Sequence, residues 1–295
     1  MYSKMRNTVE QTIIFLHIPK TAGTTLHRII ERHYPQERIF SLGAIAQKSI
    51  REFKTLNPAR RARIRVLKGH MGFGLHEFIP GPSAYFTLLR EPIERVISFY
   101  YFVHRNHEHY LYDFVQSDDI GLKEFTENRA TPMIDNGQTR MLSGVWLEVG
   151  FGECTREMLN QAKRNLRESF AVVGLMEKFD ETLLLLKQAF DWKNLFYTKQ
   201  NVTTDRPQKD DLPPDTLDAL SNVNRLDIEL YRYATMLFEE QVRQQGPSFI
   251  KEVKAFQLAN HLNNPSDNLF IRAYWEIRKY SVRAFMRKWI HRMLD

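Results

Sequence analysis

Cysteine is almost absent: Cys154 is the only one in 295 residues. An intramolecular disulfide framework is thereby excluded, and the Cys and His spacing of a structural zinc site is missing as well. Both absences fit a reducing compartment. Long apolar runs are also lacking. The longest, around Thr182 to Leu186, is far too short to span a bilayer. The opening stretch M-Y-S-K-M-R-N-T-V-E-Q has no apolar h-region of a secretory signal. With the first core strand expected to start near Gln11, no room is left for an anchor and stem, and a cytoplasmic location is expected. No segment is of low complexity and no internal repeat is detectable.

What remains is an ordinary globular composition, 43% hydrophobic and 26% charged, in a chain long enough to bury a core without staples. The length suggests one α/β domain with elaborations. The formal net charge of +7 favours anionic partners: a polyphosphorylated nucleotide, an acidic glycan, nucleic acid or a lipid surface. No nucleic-acid-binding module accompanies the charge, so nucleic acid is set aside.

Gln11 to His17 (Q-T-I-I-F-L-H) is a nearly continuous apolar run, as a strand buried on both faces should be. A Pro-Lys-Thr-Ala-Gly turn and a helix over Thr24 to His33 follow. Further strands are expected at Arg38 to Leu42, Ile64 to Leu67, Ala84 to Leu89 and Phe170 to Leu175. Helices are expected at Ala44 to Leu56, from Pro92 towards Phe102, through much of Gly121 to Arg167, at Glu181 to Phe190 and at Leu217 to Val242. Asn201 to Pro214 reads as a loop. Alternating strands and helices predict an α/β fold, a P-loop-like parallel sheet flanked by helices, with a mainly helical C-terminal part. The expected division is a domain over residues 1–250 and a basic amphipathic helical extension over 251–295. In that extension Trp275, Val282, Met286, Trp289 and Met293 can share one helix face.

Ligands of such sheets gather at the carboxyl ends of the strands. There stands His17-Ile18-Pro19-Lys20-Thr21-Ala22-Gly23-Thr24-Thr25. Small residues let backbone N–H groups close on an anion, the next helix adds its dipole, Lys20 adds a charge, and Thr24 and Thr25 add hydroxyls. This is not a Walker A loop, in which lysine follows the glycines. The plainer alternative is a tight turn with a solvated lysine. A second cluster, Arg90-Glu91-Pro92-Ile93-Glu94-Arg95-Val96-Ile97-Ser98, puts a guanidinium at a strand end and a hydroxyl two helical turns on, a second phosphate grip. The default for Arg95 is pairing with a carboxylate such as Glu91.

The two motifs together resemble those of sulfotransferases that use 3′-phosphoadenosine-5′-phosphosulfate (PAPS). The likeness is to the carbohydrate group that includes the heparan sulfate 2-O- and 6-O-sulfotransferases. There a strand runs into P-K-T-[AG]-[GS]-[ST]-[ST], and R-[DE]-P-x-x-R-x-x-S binds the 3′-phosphate. Asp135 to Gly144, Val173 to Asp180, Lys199 to Arg206 and Leu226-Asp227 with Leu230-Tyr231 extend the similarity over roughly Ile13 to Phe238. The resemblance implies sulfuryl transfer from PAPS to a hydroxyl of a carbohydrate or other acceptor. Lys20, Thr21, Ala22, Gly23, Thr24, Thr25, Arg90 and Ser98 would hold the nucleotide.

A general base is needed for the acceptor, and histidine titrates in the right range. His70 in Lys68-Gly69-His70-Met71-Gly72-Phe73 follows the third strand and corresponds to the G-H-x-x-F base of the 2-O-sulfotransferases. His70 and Lys20 are thus the expected catalytic pair, with His17 as a positioning residue and His76, beside Glu77, as a weaker base candidate; the plainer alternative for His70 is a histidine bonded to loop backbone. The scheme requires no metal, and His104, His107 and His109 read as a solvated helix end. The basic residues Arg51, Lys54, Arg60, Arg61, Arg63 and Arg65 could serve an anionic acceptor, or be an ordinary exposed face. The expected partner is a hydroxylated acceptor, a glycan or glycolipid. Peripheral membrane contact through the C-terminal helix is an option, and oligomeric state is left open. Two other readings stand beside this one: a phosphoryl-transfer enzyme with an atypical P-loop, and a non-catalytic nucleotide- or glycan-binding protein.

Overall fold

The computed structural model describes residues 11–43, 45–117, 120–198 and 206–262. Its first strand, β1 (Thr12–Leu16), is buried along its whole length, as its unbroken apolar run requires. It lies centrally in a five-stranded sheet of order β2-β3-β1-β4-β5. The others are β2 (Ile39–Ser41), β3 (Val66–Gly69), β4 (Ser83–Leu89) and β5 (Phe170–Leu175). Every pairing is parallel, with Leu16 opposite Gly69 and Phe15 opposite Phe86. The α/β parallel-sheet expectation is met, and the loops leaving the adjacent strands β3, β1 and β4 emerge side by side at one edge.

The helices are α1 (Gly23–His33), α2 (Ala46–Thr55), α3 (Pro58–Arg61), α4 (Pro92–Arg105), α5 (Tyr112–Ser117) and α6 (Leu122–Glu127). They continue with α7 (Gly137–Ser143), α8 (Arg156–Ser169), α9 (Phe179–Phe190), α10 (Pro214–Val223), α11 (Arg225–Gln244) and α12 (Ser248–Leu262). One large apolar cluster joins the sheet to α1, α8, α9 and α11. A second, built on Ile93, Val96, Phe99, Phe125 and Leu220, packs α4, α6 and α10 together.

Three boundaries differ informatively from expectation. β3 starts two residues late but reaches Gly69, because Lys68 joins the sheet although charged. Its side chain is buried, and its ammonium pairs with Glu31 of α1. The helix expected over Leu217 to Val242 is two helices. Asn224 breaks it with φ −116° and ψ 19°, while its buried amide donates to the Leu220 carbonyl at 3.0 Å. α12 runs through position 250, and its Phe249 and Val253 are buried in the main core. The apolar face expected between Trp275 and Met293, and Lys199, lie outside the described residues. No described helix is long and apolar enough to cross a membrane.

Candidate active site

The loop between β1 and α1 has the geometry of an anion cradle. Lys20 has φ 72° and Ala22 φ 62°, so two side-chain-bearing residues adopt the left-handed conformation. Alternation of this kind turns successive N–H groups to one side. The buried Thr21 hydroxyl donates to the Ile18 carbonyl at 2.8 Å and closes the loop, so it is spent internally. Ala22 caps α1 without a side-chain hydrogen bond, and no acidic residue lies in the first turn. The helix therefore presents uncapped N–H groups and its positive dipole end to the loop. Thr25 is buried and Thr24 exposed on that first turn.

The cations gather around the cradle. Arg90, the first residue beyond β4, is only 6% exposed. Its backbone N–H donates to the Gln138 side-chain carbonyl (3.0 Å) and its carbonyl accepts from the Gln138 amide (2.9 Å). Held so, its guanidinium donates to the Lys20 carbonyl at 3.2 Å and to Glu94 at 3.4 Å. Arg206 reaches the same Glu94 oxygen at 2.8 Å. The other Glu94 oxygen accepts from the Lys209 N–H (2.8 Å), which pins the segment carrying Arg206 onto α4. Arg206 Nη1 is buried with no hydrogen-bond partner among the described residues.

Lys20 places its ammonium 4.0 Å from the centre of the Phe102 ring. Burial, with Arg90, Arg105 and Arg206 close by, pushes its pKa down to about 8. The same crowding, burial first and then Arg206, lowers that of Arg90. Buried like charges of this kind need an anion to be comfortable. Ser98 is half-buried on α4, one turn beyond Glu94 and one turn before Phe102, and so shares their face.

Directly after the neighbouring strand β3 stands His70. Its Nδ1 is 2.7 Å from the His17 carbonyl oxygen, which can only accept, so Nδ1 carries the proton. The other ring nitrogen, Nε2, then holds a free lone pair. Burial keeps the ring neutral by lowering its pKa below 6.5, and the His17 bond opposes this weakly. The His17 and His70 rings lie 4.3 Å apart. His27 Nε2 meets His17 Nδ1 at 3.1 Å. All three are depressed. His17 is lowered by burial and by His70, His27, Lys20 and Lys68, and His27 falls to about 4 by burial and by Lys68 and His70.

The opposite tautomer is set at His76. The Tyr85 hydroxyl accepts from the Gly74 N–H (3.2 Å) and the His76 N–H (3.1 Å), so its own proton goes to His76 Nδ1 at 3.1 Å. His76 Nε2 therefore carries a proton and has no lone pair to accept another, which argues against this base candidate.

Arg95 pairs with a carboxylate, as its plainer reading expects, though with a different one. It is fully buried, donates to the Met133 carbonyl at 2.8 Å and pairs with Asp227 at 3.7 Å rather than with Glu91. Asp227 also accepts from the Gln138 N–H (3.0 Å) and from the Thr139 N–H (2.7 Å) and hydroxyl (2.8 Å). Arg95 thus supports α7, which carries Gln138, and does not enter the cradle. Among the described residues no group of three or more His, Cys, Asp or Glu could hold a metal ion. His107 packs on Tyr112, whereas His109 packs on Phe99 and Phe102. Arg206 was legible only as part of a family segment; nothing in its spacing announced that it would meet Arg90.

A loop shaped like an anion cradle, a cluster of three cations and a histidine whose pKa is lowered by burial thus share one edge of a parallel sheet. The family model for galactose-3-O-sulfotransferase matches residues 3–265, and the chain belongs to that family of carbohydrate sulfotransferases. Similar proteins include heparan-sulfate 6-O-sulfotransferase 1-B of Danio rerio, 26% identical over 279 residues that cover 79% of this chain and 67% of the relative. Galactose-3-O-sulfotransferase 3 of Homo sapiens is 26% identical over 264 residues, 81% of this chain and 59% of the relative. Heparan sulfate 2-O-sulfotransferase 1 of Xenopus laevis is 26% identical over 197 residues, 60% and 54%. The chain spans between 54% and 67% of the length of these three relatives.

Proposed function

We propose that the protein transfers a sulfuryl group from PAPS to a hydroxyl of a carbohydrate acceptor. The observation that carries the reading is the convergence of Lys20, Arg90 and Arg206 on the β1–α1 cradle, with one guanidinium nitrogen that has no partner among the described residues. Beside them His70, the first residue after the adjacent strand β3, keeps a lone pair on Nε2. Membership of the family, and relatives that are heparan-sulfate and galactose sulfotransferases, support the same chemistry.

In this mechanism the cradle amides from Thr21 to Thr25 and Lys20 hold the 5′-phosphosulfate, while Arg90, Ser98 and Arg206 hold the 3′-phosphate. The acceptor oxygen attacks sulfur in line as its proton passes to His70 Nε2. The bond between sulfur and the bridging oxygen breaks, and adenosine 3′,5′-bisphosphate departs with both electrons of that bond. Lys20 and the helix N-terminus stabilise the charge growing on that oxygen. The nucleotide serves as co-substrate, and the acceptor is a glycan or glycolipid.

Calorimetric titration with adenosine 3′,5′-bisphosphate, with 5′-AMP as control, tests the donor site. Binding that requires the 3′-phosphate and is lost in Arg90→Ala is the expected result. Equal binding of 5′-AMP, or tight binding only of magnesium-ATP, would sink the assignment and favour phosphoryl transfer.

A further inference from the structure

We propose that Glu94 is a positioning residue of the donor site, which fastens Arg206 beside Arg90 and so completes the grip on the 3′-phosphate; this rests on the sulfuryl-transfer reading above. Phosphate binding by itself asks for no acid here. Glu94 and Ser98 follow Arg90 at intervals of four residues, which puts a carboxylate in the middle of a row assigned to an anion. A bare carboxylate at that place would repel the phosphate, so its charge must be engaged elsewhere.

Both Glu94 oxygens are engaged. One accepts from the Arg206 guanidinium at 2.8 Å and, more weakly, from Arg90 at 3.4 Å. The other accepts from the Lys209 N–H at 2.8 Å. The carboxylate side chain is only 20% exposed, so these charge-assisted bonds are partly shielded from water. Glu91 adds a second fastening. One of its oxygens accepts from the Lys209 ammonium at 3.0 Å, while the other caps α4 on the Glu94 N–H at 2.8 Å.

The stretch that begins at Arg206 needs such fastening. Its far end is held by Leu212, which packs on the second apolar cluster with α4 and α10. Its near end carries Arg206, and among the described residues Glu94 is the hydrogen-bond partner of that guanidinium. The place is an unfavourable one to reach unaided. Arg206 stands close enough to Arg90 to lower its pKa, second only to burial, and Glu94 opposes that shift. A long side chain held there gives up its rotamer freedom and meets a like charge.

Glu94 is one anion between two guanidinium groups, the arrangement a phosphate also favours. What sets it apart is the tether to the Lys209 backbone, which keeps Arg206 in place while its buried Nη1 has no partner among the described residues and is left for a ligand. Glutamine cannot do the same. Its amide has one acceptor oxygen, and Glu94 uses two. In Glu94→Gln either the guanidinium or the Lys209 N–H loses its partner.

Calorimetric titration of the full chain with adenosine 3′,5′-bisphosphate and with 5′-AMP tests this in wild type, Glu94→Gln, Arg206→Ala and the double variant. Affinity for 5′-AMP reports the cradle and the folded fraction, and should be the same throughout. Glu94→Gln should bind the bisphosphate roughly tenfold more weakly, the scale on which freeing one held side chain acts. With Arg206→Ala already in place, the same substitution should no longer weaken binding, since no guanidinium is left to hold. Coulomb's law alone predicts the opposite sign, tighter binding once the carboxylate is neutral. Tighter binding in Glu94→Gln therefore overturns the inference. So does a loss that persists without Arg206, or one matched by an equal loss of 5′-AMP affinity. Wild type that binds 5′-AMP as tightly as the bisphosphate fails the donor reading itself; wild type that discriminates, with Glu94→Gln unchanged, fails the role of Glu94 alone.

Discussion

The His17 ring occupies the space that a side chain on Gly23 would need: a Cβ there would lie 1.8 Å from His17 Nε2 and 2.0 Å from Cε1. One histidine thereby touches both halves of the site. Its ring abuts the first turn of the cradle helix, and its carbonyl fixes the tautomer of His70.

A double-mutant cycle follows from this packing. Gly23→Ala should push the His17 ring out of place and weaken binding of adenosine 3′,5′-bisphosphate, because the overlap is too deep for a small adjustment. His17→Ala in the same chain frees the space and should restore much of that binding. Calorimetry on the four proteins measures the coupling. Purely additive losses would mean that the ring and the cradle are independent.

Replacing His70 by alanine should lower turnover by roughly 10²–10⁴-fold, the usual worth of a general base, while leaving nucleotide affinity intact. The pH profile is the sharper readout. The base works as the neutral ring, and burial holds its pKa below 6.5. Activity should therefore persist below pH 6.5 and fall only as pH drops through the depressed value. An acid limb centred at or above 6.5 would place the proton acceptor elsewhere.

Lys20 sets the opposite limb. With a pKa near 8 it is charged at neutral pH and loses that charge as pH rises. Nucleotide affinity should fall between pH 7 and 9, and binding in that range should take up protons, because a bound anion favours the ammonium. Calorimetry in buffers of different ionisation enthalpy reads the uptake directly. Lys20→Arg should abolish the uptake, since guanidinium remains charged throughout. Uptake unchanged in that variant would assign the proton to another group.

Much of this arrangement was legible in the residues themselves. The apolar run ending at His17, the small residues after Lys20 and Pro92 behind Arg90 are local signals, and each lies where parallel-sheet geometry makes it useful. What was not legible depends on contacts distant in sequence. Lys68 looked like the end of a strand because its partner, Glu31, sits on α1. His70 was ranked above His76 on the resemblance; their opposite tautomers, set by a carbonyl and a tyrosine hydroxyl, could not be read from the residues. Arg206 joined Arg90 only through Glu94, and Arg95 found its carboxylate in Asp227 on α11 rather than in Glu91.

That last pair separates stability from binding. Asp227 is fully buried and holds the start of α7 through the N–H groups of Gln138 and Thr139, with Arg95 as its counter-charge. Asp227→Ala leaves that charge and those donors unpaired, and should cost about 3–5 kcal/mol in chemical denaturation. Gln138→Leu acts one step nearer the ligand. It orphans the buried Arg90 N–H at about 1–3 kcal/mol and frees the backbone that aims the guanidinium. The folded fraction of Gln138→Leu should therefore bind adenosine 3′,5′-bisphosphate more weakly than wild type. Nucleotide affinity equal to wild type in that variant would show that Arg90 is aimed by Glu94 and the Lys20 carbonyl alone.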